Sequence, residues 1–140
     1  MREIWLSRLI RTQGQLRRAA GSLKRVLDKL AEHHVQLHAI SVADTSDYGI
    51  FRIICDNPQE AFKVLEQEGF AASLTEILVL EMEDVPGSAA KLIGVFAKGG
   101  LSIAYLYSFH YEGRQALAFR TDDRTRARQI IKDFSLKEIQ

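Results

Sequence analysis

The chain repeats itself. Shifted by 66 positions, so that Asp44 falls on His110, it matches its own pattern without a gap from Gly21 to Phe70. Gly21-Ser22 falls on Gly87-Ser88. Leu27, Leu30 and Ala31 fall on Ile93, Phe96 and Ala97. Val35, Leu37 and Ile40 fall on Leu101, Ile103 and Leu106, and Val64-Leu65 on Ile130-Ile131. Few residues are identical, but the apolar positions agree throughout. Stacked solenoid units repeat every ~20–50 residues. This longer period is therefore read as a duplicated domain. The expected boundaries are residues 1–74 and 75–140.

Each copy gives the same succession of periods. In residues 22–33, Leu23, Val26, Leu27 and Leu30 share one helical face. Residues 35–44 alternate, with Val35, Leu37, Ala39 and Ser41 against His38, Ile40 and Val42, which predicts a strand. The turn-rich Thr45-Ser46-Asp47-Tyr48-Gly49 leads into a second strand over residues 50–55. Asn57-Pro58-Gln59-Glu60 is a helix start, with Asn as N-cap, Pro at the first helical position and Glu at the third. Gly69 ends that helix. Residues 70–75 return as a strand and run into residues 77–82, the first strand of the second copy. The second copy then reads as helix 87–98, strands 101–111 and 115–121, helix 123–133 and a short strand near 136–139.

The fold class is therefore α+β: two tandem ferredoxin-like βαββαβ domains with antiparallel sheets. In strand 101–111, Leu101, Ile103, Tyr105, Tyr107 and Phe109 line one face, and Ala104 and Leu106 the other. A strand apolar on both faces is covered on both, which predicts contact with the sister domain or another chain, and a homodimer or larger assembly.

The first strand has two registers. The ungapped shift places it at residues 10–16, a polar run with Gly14 inside it. The alternative places it at residues 4–10, with the following helix starting near Gln15. Leu16, Ala20, Leu23, Leu27 and Leu30 then form one stripe. The second register is preferred.

Composition excludes several classes. The net charge is only +1, which argues against a purely electrostatic nucleic-acid binder. The charge is uneven, because residues 1–25 hold seven basic groups against Glu3, and residues 43–87 hold ten acidic groups against Arg52 and Lys63. Cys55 is the single cysteine, so no intramolecular disulfide forms, and a cytoplasmic location is expected. No apolar run approaches the roughly 18 residues of a membrane span, and no signal peptide is seen. His33, His34 and His38 do not make a converging metal set. There is no nucleophile–base pair or phosphate loop, so no enzyme activity and no cofactor is expected. The βαββαβ order also occurs in RNA-binding domains, but Tyr48-Gly49-Ile50-Phe51-Arg52-Ile53 does not fit their aromatic signature.

The stretch with the most binding character is Asp84-Val85-Pro86-Gly87-Ser88, at a strand–turn–helix junction. Pro86 is expected at the first helical position, and Gly87 lets backbone approach a ligand. Free N–H groups at the positive end of a helix dipole suit a carboxylate. The bland alternative is a plain helix start. A second candidate is the loop Asp44-Thr45-Ser46-Asp47-Tyr48, whose carboxylates, hydroxyls and phenol could fix an ammonium group. Its bland alternative is a capped hairpin loop.

With Asp84-Val85-Pro86-Gly87-Ser88, the phrase Ala39-Ile40-Ser41-Val42-Ala43-Asp44-Thr45-Ser46-Asp47-Tyr48-Gly49, and Ser73-Leu74-Thr75-Glu76 at the join, the chain resembles small stand-alone proteins made of two ACT domains. The resemblance covers residues 22–135. It implies a regulatory module that binds a small amino acid where two ACT domains meet, with the glycine turn after the first strand touching the ligand. Asp84, Pro86, Gly87 and Ser88 match the family's turn in copy two. In copy one Gln13-Gly14 or Ala20-Gly21 stands in its place. The implied partners are an amino acid, a second copy and a metabolic enzyme. The alternative function is an accessory subunit that docks on an enzyme without binding a ligand.

Overall fold

The computed structural model describes residues 1–9, 15–44 and 48–140. The elements are β1 (Arg2–Leu9), α1 (Gln15–Glu32), β2 (Leu37–Asp44), β3 (Tyr48–Cys55), α2 (Pro58–Gln67) and β4 (Ala72–Glu76), then β5 (Leu78–Met82), α3 (Ser88–Lys98), β6 (Tyr105–Tyr111), β7 (Arg114–Arg120) and α4 (Arg124–Asp133). They divide into two compact units, Arg2–Glu76 and Ile77–Gln140, the second taking in Met1. Each unit is a ferredoxin-like α+β domain.

In the first unit the strand order is β2-β3-β1-β4, all antiparallel. Ile4, Leu6, Phe51, Ile53 and Cys55 bury one sheet face with Val26 and Leu30 of α1 and Ala61 and Leu65 of α2. On the other face Arg52 lies over the Trp5 ring at 5.0 Å, and the Trp5 indole N–H donates to Glu3. The first strand thus follows the 4–10 register rather than 10–16, and α1 begins at Gln15. Ile10, Gln13 and Gly14 lie outside the described residues.

Strand β2 departs from simple alternation. Leu37 pairs with Cys55 but Ala39 pairs with Ile54, so His38 is an extra residue in the ladder. A bulge reverses the faces beyond it. Leu37 shares the helix-side face with Ile40 and Val42, opposite Cys55, Ile53 and Phe51, while Ala39 and Ser41 share the other. Ile40 and Val42 lie on the edge strand and keep 42% and 49% exposure.

In the second unit the order is β6-β7-β5, and the expected last strand is reduced to a bridge between Leu80 and Glu138. Two hydrogen bonds hold that segment to β5: Glu81 N–H donates to the Lys137 carbonyl and Ile139 N–H to that of Val79, both at 2.8 Å. Leu80, Leu117 and Phe119 of the sheet pack against Leu92 and Phe96 of α3 and Ala127 and Ile130 of α4. The Phe96 and Phe119 ring centres are 4.8 Å apart. Leu101 and Ile103 belong to this core, because regular strand begins only at Tyr105. The face away from the helices instead carries Tyr105, Tyr107, Phe109 and Tyr111, with successive ring centres 6.3–6.5 Å apart.

Caps fix the helix ends. The Asn57 side chain accepts from Glu60 N–H, and Asp123 from Arg126 N–H. The four described helices end in the same way: a left-handed residue follows the last turn, and the next N–H reaches back five residues, as Val35 to Leu30, Phe70 to Leu65, Leu101 to Phe96 and Leu136 to Ile131. Glycine serves this position at Gly69 and Gly100, but His34 (φ 57°) and Ser135 (φ 50°) occupy it in α1 and α4. Left-handed backbone costs an L-residue about 1–2 kcal/mol. Replacing His34 by Gly should therefore stabilise the first unit by about 1 kcal/mol, measurable by urea denaturation.

Cys55 is buried in the first core, and desolvation there pushes its thiol up to about 11. The thiolate is the reactive form. Iodoacetamide at neutral pH should leave the folded chain unmodified and label it only after unfolding, as mass spectrometry would show.

Candidate functional site

The β5–α3 junction is a tight turn followed at once by helix. Val85 C=O accepts from Ser88 N–H at 3.3 Å, and Gly87 has φ 89° and ψ −8°. Those are the angles of the third residue of a type II turn, for which Pro at the second position and Gly at the third are the favoured pair. The helix begins at Ser88 with Gly87 as its N-cap. Pro86 is therefore one residue before the cap and not at the first helical position. It rigidifies the turn rather than the helix.

The N-terminus of α3 differs chemically from its neighbours. Helices α2 and α4 carry side-chain caps from Asn57 and Asp123, whereas Gly87 offers none. A Cβ at Gly87 would meet nothing within 4 Å, so the space beside the cap is open. Asp84, Val85 and Pro86 are exposed, and Ser88 is half-buried. Asp84 does not cap α3. Its carboxylate lies 3.9 Å from Nε2 of His110, near the end of edge strand β6, and both side chains face solvent. Nearby in the ladder, Arg114 joins Glu81 at 3.5 Å and Glu112 at 3.5 Å. The turn and the end of β6 therefore form one polar rim. His110, the counterpart of Asp44 in the repeat, was not among the predicted site residues; its position at a strand end was the available signal.

On the other side of the turn is a cleft of about 260 Å³. One wall is a single stripe of α3: Ser88, Lys91, Leu92 and Val95. The opposite wall is Ser135, Leu136 and Lys137, and the floor comes from Glu81 and Met82 at the end of β5 and Glu83 just beyond it. Of the predicted site residues only Ser88 lines it. Lys91, Ser135 and Lys137 were missed, because nothing local in the sequence shows that the C-terminal segment runs beside β5.

The loop candidate lies mostly outside the described residues: Thr45, Ser46 and Asp47 are among those not described. Asp44 and Tyr48 are the last residue of β2 and the first of β3. Among the described residues there is no group of three His, Cys, Asp or Glu side chains able to hold a metal, and no helix is long and apolar enough to cross a membrane.

The turn geometry makes a mutational forecast. Gly87→Val forces a β-branched residue into left-handed backbone and should cost about 1–3 kcal/mol, although no neighbour blocks the side chain. Pro86→Ala should cost about 0.4–1 kcal/mol through the unfolded chain. Asp84→Ala, which removes no cap, should change stability by less than about 0.5 kcal/mol. Thermal and urea unfolding of the three variants checks this order.

Comparison with known proteins agrees with this architecture. A family model described as an ACT domain pair matches residues 14–140. No curated protein matches in sequence. Among solved structures, a protein of Bacteroides thetaiotaomicron superposes with a TM-score of 0.83 at 25% identity, covering 99% of this chain and 90% of that one. The ligand-free regulatory subunit of aspartate kinase from Thermus thermophilus gives a TM-score of 0.62 at 19% identity, covering 94% and 91%. The corresponding subunit from Thermus flavus gives 0.55 at 20%, covering 94% and 90%.

Proposed function

Because the chain belongs to the family of ACT domain pairs, we propose that it is a regulatory protein that senses a small amino acid and acts through a conformational change or a change in assembly. The observation that carries this reading is the uncapped N-terminus of α3, open beside Gly87 and flanked by Asp84 and His110. A carboxylate is stabilised at the positive end of the helix dipole. The Asp84 carboxylate on the same rim suits the ammonium group of the same ligand. A zwitterion spans both.

The turn is exposed and shallow, so a second surface is needed to enclose a ligand. We assign that role to an ACT domain of another copy in a homodimer. A ligand that bridges the two surfaces adds contacts only in the closed arrangement and shifts the population towards it. Residues 44–48 remain a second candidate contact. The solved regulatory subunits of aspartate kinase with the same fold support an output directed at a metabolic enzyme. The same reading places the protein in the cytoplasm, with Cys55 reduced, and assigns it neither chemistry nor a cofactor of its own. The alternative, an accessory subunit that docks without a ligand, predicts no response to any amino acid.

A thermal-shift screen of the twenty amino acids tests the two readings. A specific ligand at about 100 times its Kd should add about 2.7 kcal/mol to stability. Asp84→Ala and His110→Ala should each weaken that response, and sedimentation should show a ligand-dependent change in assembly. A flat screen favours the ligand-free accessory subunit.

A further inference from the structure

The two copies treat the same place in opposite ways. Position 25 of the first copy corresponds to Lys91 of the second, and position 70 to Leu136. In the first copy the Arg25 guanidinium lies over the Phe70 ring, 5.1 Å from its centre. That stack ties the first helix to the chain entering the last strand. Beside it, Lys29 reaches Glu68 at 3.7 Å across the same gap. Their counterparts are Val95 and Phe134, which form no ion pair. In the second copy the gap is therefore an open cleft between α3 and residues 135–137.

Its shape is fixed. The far wall is held to β5 by the hydrogen bonds of Lys137 and Ile139, and to α4 by that from Leu136 N–H to Ile131 C=O. Its lining is divided chemically. Met82, Leu92, Val95 and Leu136 are apolar, and Lys91 and Lys137 are exposed at the mouth; two carboxylates also line the cleft, Glu81, which is joined to Arg114, and the exposed Glu83. Ion pairs of this unit include His110–Asp84, Arg114 with Glu81 and Glu112, and Arg128–Glu138; among the described residues, neither lysine belongs to one. Ser135 adds a hydroxyl, and it does so from a left-handed backbone position where the first copy has Gly69. A strained residue at the edge of a cleft points to a use for its side chain.

We propose that this cleft binds a small carboxylate with an apolar body, free amino acid or simple carboxylic acid. The carboxylate sits between Lys91 and Lys137 with the Ser135 hydroxyl beside it, and the apolar body lies on Leu92, Val95 and Leu136. The volume is below the roughly 300–1,000 Å³ of pockets for drug-sized ligands and suits a molecule of amino-acid size. The site lies within one domain. It borders the Asp84–His110 rim, sharing Glu81 with it, and does not depend on the reading given to that rim.

The test uses NMR titration of the whole chain with 4-methylpentanoate, L-leucine and isopentylamine at millimolar concentrations. Both carboxylates, or 4-methylpentanoate alone, should shift the signals of Val95 and Leu136, and the amine should not. Binding of leucine as tightly as the simple acid assigns the site to amino acids; much weaker leucine binding assigns it to simple acids. Lys91→Glu should weaken carboxylate binding by about tenfold or more. Lys91→Arg combined with Leu136→Phe should close the cleft as the first copy closes it, abolishing binding in a folded protein. Ser135→Gly should raise the melting temperature yet weaken binding, a combination that a purely structural role does not produce. Asp84→Ala should leave it unchanged. Binding by neither carboxylate, equal binding by the amine, or full binding by folded Lys91→Glu overturns the proposal.

Discussion

Everything in each half hangs on burying one face of a small antiparallel sheet beneath two helices. In the second unit the contact is concentrated where Phe96 of α3 meets Phe119 of β7, both fully buried. Rings of this kind are each worth about 3–5 kcal/mol when truncated, against a total stability of about 5–15 kcal/mol for an ordinary domain. This core sets where α3 lies above the sheet. The position of α3 in turn sets the turn at Gly87 and the cleft along its Ser88–Val95 stripe. Both candidate sites are thus by-products of one packing requirement.

Duplication explains how one chain can carry different chemistry on one frame. The cores correspond position by position: Val26 and Leu30 in the first, Leu92 and Phe96 in the second. The differences lie where packing does not decide the residue. A left-handed helix end is glycine in one copy and His34 or Ser135 in the other, in reciprocal fashion. A gap closed by Arg25 on Phe70 in one copy stands open at Lys91 and Leu136 in the other. Such exchanges change a surface while leaving the buried face intact.

The rim and the cleft flank the same helix start. A ligand at either would bear on the first turn of α3, which is held by the Val85–Ser88 turn bond and the first helical bond from Lys91 N–H to Gly87 C=O. The α3 N-terminus lacks the side-chain cap that α2 and α4 possess. It is the end of the helix least committed to internal partners, and so the end most open to being completed from outside.

The sequence by itself determined the duplication, the βαββαβ order, the start of α1 at Gln15 and the presence of a turn at Pro86-Gly87. These are written in apolar period and in residues whose backbone chemistry is local. It did not show the bulge at His38, because an extra residue in a ladder is defined only by the partner strand. It assigned Leu101 and Ile103 to the aromatic face of the strand, although the chain crosses to the helix-side core before Tyr105. It could not bring His110 to Asp84, or Lys91 opposite Lys137, since each pair joins residues from different elements. Local periodicity dictates which face of an element is buried; only the docking of elements on a common core decides which polar side chains converge at its edges.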